Sequence, residues 1–122
     1  MEKPTQEQVE RIAKVCHEAN RAYCETIGDR TQLRWEDAPD WQRVSARAGV
    51  LHILSNPAID AQQTHEAWRA QKIKDGWVYG PEKNPERKTH PALVPYEALP
   101  TQEQAKDKLF KGVVLALAAI GE

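Results

Sequence analysis

A chain of 122 residues with 40% hydrophobic and 29% charged side chains has the size and balance of one soluble domain with a modest core, which excludes disorder throughout and a fibrous or membrane class. Its 17 basic and 18 acidic side chains nearly cancel, so neither DNA nor a membrane surface is an expected partner. Any anion site must be local.

The opening "MEKPTQEQVE" lacks the basic start and apolar block of a secretory signal, and the longest apolar run, "GVVLALAAIG", is too short to span a bilayer. A cytoplasmic setting is expected. Thr5 and Gln8 form a capping box, and Val9, Ile12, Cys16, Ala19, Tyr23 and Ile27 then recur every three or four residues, which predicts an amphipathic helix ended by Gly28 and Asp29. Cys16 and Cys24 would lie roughly 12 Å apart along it, beyond disulfide reach, so free thiols are expected. Cys16 falls on the apolar stripe and Cys24 is the more accessible of the two.

Asp37 reads as the N-cap of a second helix with Pro39 in its first turn, running to about Ser55. Trp41, Val44, Ala48 and Leu51 form its apolar stripe, widened by Val50 and Leu54, and Asn56-Pro57 stops it. Gly49 is locally unfavourable there and calls for a close neighbour, backbone or ligand. Arg47 could approach an anion or pair with an acidic residue such as Asp107. A third helix starts near Asp60 or Thr64, carries Ala67, Trp68 and Gln71, and ends at the C-cap Gly76.

From Asp75 to Pro91 the sequence "DGWVYGPEKNPERKTHP" has no helical or strand period. "WVY" at 77–79 and "LVPY" at 93–96 are candidate short strands, and prolines 81, 85, 91, 95 and 100 preclude a helix between them. Thr101 with Gln104 makes another capping box before a last amphipathic helix through Ala105, Leu109, Val113, Leu117 and Ile120. The fold class expected is mainly α, a compact bundle of about four helices with a long irregular segment and two short strands. It is a single domain over 1–122. An irregular stretch of that length in a compact domain is usually functional.

The stretch "THEAWRAQKIKDGWVYGPEKNPERKTHPALVPYEALPTQEQAKDKLF" resembles the ryanodine receptor repeat domain. His65, Trp68 and Lys72, then Gly76, Trp77, Tyr79 and Gly80, then Lys88, His90, Pro91, Pro95 and Tyr96 carry the pattern. With "SARAGVLHILSNP" before it, the resemblance covers about 41–120, and residues 1–40 look like the helical extension of stand-alone phage and prophage members. It implies a mainly helical fold with short strands, no catalytic residues, and, for stand-alone prokaryotic copies, a nucleotide-derived ligand.

Read from the residues, Trp77 and Tyr79 on one face of an extended segment could offer π surfaces to a base, while Lys83, Arg87 and Lys88 meet phosphates. Trp68 and Lys72 could line the same cleft, and His90 and Tyr96 could add directed hydrogen bonds. Against each stands a plainer role: the aromatics pack the loop onto the helices, and the lysines are solvated. Trp41 reads as core, and His65 as a capping or packing residue. No metal or cofactor is expected, since His17, His52, His65 and His90 are scattered without ligand spacing.

The resulting expectation is a non-catalytic domain that binds an anionic, nucleotide-like ligand. The alternative is an interaction module forming a homo-oligomer through apolar surface on "FKGVVLALAAIG". Enzyme chemistry would rest on His90 alone, as an acid or base with an ordinary pKa.

Overall fold

The computed structural model describes residues 3–121. Four helices dominate it: α1 (Gln6–Thr26), α2 (Asp40–Ser55), α3 (Ala61–Lys74) and α4 (Thr101–Ala119). Short 3-10 turns at Trp35–Asp37 and Tyr96–Ala98 precede α2 and α4, and two short strands, β1 (Val78–Tyr79) and β2 (Thr89–His90), lie between α3 and α4. No helix among the described residues is long and apolar enough to cross a membrane.

The capping box of α1 forms as the sequence predicts, Thr5 Oγ1 accepting from the Gln8 N–H and Gln8 Oε1 from the Thr5 N–H. Its far end closes on Gly28 (φ 92°), whose N–H reaches the Glu25 carbonyl while that of Asp29 reaches Cys24. This is a Schellman closure, and it needs a residue that tolerates positive φ. Asp60, not Thr64, caps α3, again with a capping box, through Gln63.

Two expected caps shift. Asp37 ends a 3-10 turn and holds Arg34, and Pro39 is the N-cap of α2. Ala38 is extended because the residue before a proline avoids helical backbone. Likewise Pro100 is the N-cap of α4, Thr101 is already helical, and the Gln104 amide donates instead to the Tyr96 carbonyl at 3.0 Å.

The core joins Val9, Ile12, Ala13 and Cys16 of α1, Trp35 of the first 3-10 turn, Val50 and Ile53 of α2, Ile59, and Val114 of α4. Each fully buried Ile or Val contributes about 1.5–3 kcal/mol. The apolar stripe expected for α2 is rotated: Val44 and Leu51 are about half exposed, while Val50 and Ile53 are buried. Gly49 explains the rotation. A Cβ there would lie 3.0 Å from the Phe110 ring of α4, so the Gly49 side of α2 lies against α4 and the Val44–Leu51 side is turned away.

The second strand forms at 89–90, not at 93–96. Between Pro91 and Pro95 the chain turns, with Leu93 buried and its N–H on the His90 carbonyl, and Pro95 then opens a 3-10 turn. β1 and β2 pair in parallel, Val78 opposite Thr89 and Tyr79 opposite His90. The short return between them is turned by Asn84, whose side-chain oxygen accepts from the N–H groups of Glu86 and Arg87, and by Lys88 at φ 56°. Gly80 is obligatory in this pairing, because a Cβ there would stand 2.6 Å from the Cβ of Thr89.

Candidate functional site

Helix α1 lies along α4, but α2 and α3 meet only sparsely. The wedge between them is a cavity of about 430 Å³, within the range that holds a small-molecule ligand. Its walls come from all four helices and from the irregular segment. Trp41, Ser45 and Gly49 stand on α2, His65, Trp68 and Lys72 on α3, Lys106, Asp107 and Phe110 on α4, and Lys83 and His90 on the segment between.

Lys72 is the unusual wall residue. It is 5% exposed, and among the described residues its ammonium makes no hydrogen bond and no ion pair. It lies 4.8 Å from the centre of the Trp41 ring and 5.3 Å from that of Trp77. Cation–π contacts return about 0.5–2 kcal/mol each, while withdrawing an ion from water costs several. The rings offset only part of such a cost, and burial lowers the ammonium's pKa, with Asp75 opposing and Lys83 adding to the shift.

The end of α3 sets this geometry. Gly76, at φ 95°, donates to the Ile73 carbonyl, and the Trp77 N–H reaches back to that of Lys72 at 2.9 Å. This second Schellman closure brings Trp77 over Lys72 and against Trp41, ring centres 5.1 Å apart. The Lys88 ammonium adds a bond to the Asp75 carbonyl at 2.8 Å, capping the carboxyl end of α3, where a cation is favoured.

Lys83 reaches the same place from the opposite side, its ammonium 5.6 Å from the Trp41 ring centre. As a residue it is exposed, yet enough protein surrounds the ammonium for burial to lower its pKa. His90 accepts the Ala92 N–H on Nδ1 at 3.0 Å, which leaves Nε2–H as its free donor. Burial, then Lys83, Lys106 and Lys72, lower its pKa to about 4. The expectation of an ordinary His90 pKa is corrected.

Of the nine residues expected to form the site, Trp68, Lys72, Lys83 and His90 line the cavity. Trp77 and Lys88 border a neighbouring recess that shares Lys72 and Trp41. Tyr79 is 60% exposed and Arg87 is exposed, and neither lines cavity or recess. Trp77 and Tyr79 do not share a face, because Trp77 belongs to the helix closure and only Val78 and Tyr79 are strand. Tyr96 is also outside the lining; its N–H donates to Glu66 and its ring stands 6.0 Å from that of His65.

Three contributors carry no signal in the sequence pattern. Trp41 is half-buried on the cavity wall instead of in the core. His65 and Asp107 face each other at 3.8 Å, and Arg47 pairs with Glu10 at 3.0 Å, not with Asp107. Cys24 is fully buried, contrary to its expected accessibility, and burial pushes the Cys16 thiol up to about 12. Among the described residues no group of His, Cys, Asp and Glu is placed to hold a metal ion.

Fold and site together define a small helical domain with a cationic, aromatic cavity in its flank. The RyR domain family matches residues 56–121, more than half of the chain, and the chain belongs to that family. The matched part supplies Trp68, Lys72, Lys83, His90 and Asp107, whereas Trp41 and the rest of the α2 wall precede it.

Proposed function

We propose that this domain binds a small anionic, nucleotide-like ligand in the α2–α3 cavity without transforming it, and so senses or sequesters a signalling nucleotide. The observation that carries the reading is Lys72, a buried residue whose ammonium lies beside two indoles on the cavity wall and forms no ion pair among the described residues. A phosphate there would supply the missing charge, with Lys83 and the His90 Nε2–H as further donors. Trp41 and Trp68 supply aromatic surface for a base.

Binding without turnover is favoured because His90 stays neutral down to about pH 4 and the Cys16 thiol is held up at about 12, leaving neither suited to acid–base or nucleophilic work near neutrality. The unpaired buried cysteines fit a reducing, cytoplasmic setting, and a phage or prophage protein would have use for such a sequestering agent. Calorimetry against a panel of nucleotides tests the reading. Binding lost in Lys72→Met is expected; a panel that binds neither the wild type nor the variant would sink it.

A second reading, self-association, is favoured by Val44 and Leu51, about half exposed and two turns apart on α2. The carboxyl-terminal helix adds less than its sequence suggests, since Val113, Leu115 and Leu117 pack on the core. Sedimentation that returns a dimer broken by Leu51→Glu would support it.

A further inference from the structure

The cavity has a second polar end. His65 and Lys72 stand two turns apart on α3, about 10 Å along the axis. On the cavity wall near Lys72 the free charged and ring groups are donors, two ammoniums and the His90 Nε2–H. Near His65 the free group is the Asp107 carboxylate, an acceptor, since the Lys106 ammonium is held by Glu103 at 2.8 Å. The Val94 carbonyl oxygen can only accept, so its 2.8 Å contact fixes a proton on His65 Nε2 and orients the ring with Nδ1 toward Asp107. Asp107 lies 3.8 Å from that nitrogen with its side chain 19% exposed, and its carboxylate makes no hydrogen bond among the described residues. Trp68 lies between the two ends, its ring 5.5 Å from His65 and 5.1 Å from His90.

We infer that the cavity takes a guanine nucleotide in one orientation, with phosphate at Lys72 and Lys83, the base beside Trp68, and the N1–H and N2–H donors of the base on Asp107. This rests on the nucleotide reading above and adds the identity of the base. Guanine sets two N–H donors side by side, matching the two oxygens of a carboxylate. Adenine sets an acceptor, N1, beside its amino group, and that lone pair would face a carboxylate oxygen. The span from His65 to Lys72 is comparable to that from the base edge of a nucleotide to its phosphate.

Burial raises the Asp107 pKa to about 6, against the pull of His65. The titratable and charged groups around it are His65 from α3, Glu103 and Lys106 from its own helix and Tyr96 from the preceding turn. Across the cavity stand His17 of α1 and His52 of α2. The preference for guanine is therefore full above this pH and fades as Asp107 takes up a proton below it.

Isothermal titration of the full chain with GMP, AMP and inorganic phosphate, at about pH 7.5 and about pH 5, tests the assignment. GMP is expected to bind about tenfold or more tightly than AMP at the higher pH, with the gap closing at the lower. Asp107→Asn, checked for folding by circular dichroism, should bring GMP to the level of AMP. Equal affinities in the wild type, or a preference that survives in Asp107→Asn, overturns the base assignment and leaves the nucleotide reading standing. Failure of both nucleotides to bind overturns both. Should Asp107→Asn not fold, the wild-type pair of pH values decides, and a preference unchanged between them counts against the assignment.

Discussion

The α1–α4 seam and the α2–α3 wedge use the same four helices to opposite ends. Along the seam, Val9, Ile12, Ala13 and Val114 exclude water, and among the described residues none of the buried unpartnered side-chain atoms lies there. In the wedge, Lys72 and Asp107 are largely withdrawn from water without hydrogen bonds among the described residues. One side of the molecule holds it folded, and the other keeps charged groups in a cavity where burial opposes their charge.

Breaking the seam should be the most damaging change. Ile12→Ala removes a fully buried α1 side chain from the cluster and is expected to cost about 3 kcal/mol in chemical denaturation, while nucleotide affinity of the folded fraction is unchanged.

Acid separates the two regions next. Unfolded His90 takes a proton near pH 6.5 and folded His90 only near 4, so acidification between those values favours unfolding. Asp107 works the other way: its folded pKa, about 6 against 3.8, means that the folded state gains protons first and acid stabilises it. Between about pH 6.5 and 4.5 the two contributions oppose each other, and the wild type should change little. In Asp107→Asn the His90 loss stands alone, of the order of 2 kcal/mol after allowing for partial exposure, readable as denaturation midpoints across that window. Below it, Glu18, Glu36, Glu66 and Asp29, all with lowered pKa values, begin to protonate and stability falls in both proteins.

Lys72→Met sharpens the contrast, because it replaces the ammonium with an apolar side chain of similar reach. Stability should rise by about 1 kcal/mol in thermal melts while ligand affinity is lost. The smallest effect is expected at Leu51→Gln, on the α2 face that points away from the core, where a shift within about 0.5 kcal/mol in the same melts would confirm the rotated stripe.

What could be read from the sequence follows from where the determining contacts lie. α1 was legible because its cap, its stripe and its Schellman glycine are all local. α2 was not, because two stripes compete along it and the choice is made by Phe110 meeting Gly49 from a distant helix. The same distinction holds in the cavity. Trp68, Lys72, Lys83 and His90 sit in or beside the irregular segment from Asp75 to Pro91, whereas Trp41 and Asp107 come from α2 and α4 on either side of it and only the tertiary fold brings them to the same cavity. Tyr79 lies away from the cavity because strand alternation does not reach Trp77, which the helix closure holds instead.

The chain has four tryptophans. Trp41 and Trp77 lie against the Lys72 ammonium, Trp68 lines the cavity, and Trp35 is buried in the core beside His17. The molecule thus carries its own optical gauge. Under the proposed function, an anion reaching Lys72 would change the electric field across two indoles and the packing of a third, while Trp35 lies in the core outside the cavity lining. Occupancy becomes a matter of emission colour and intensity, readable without any label.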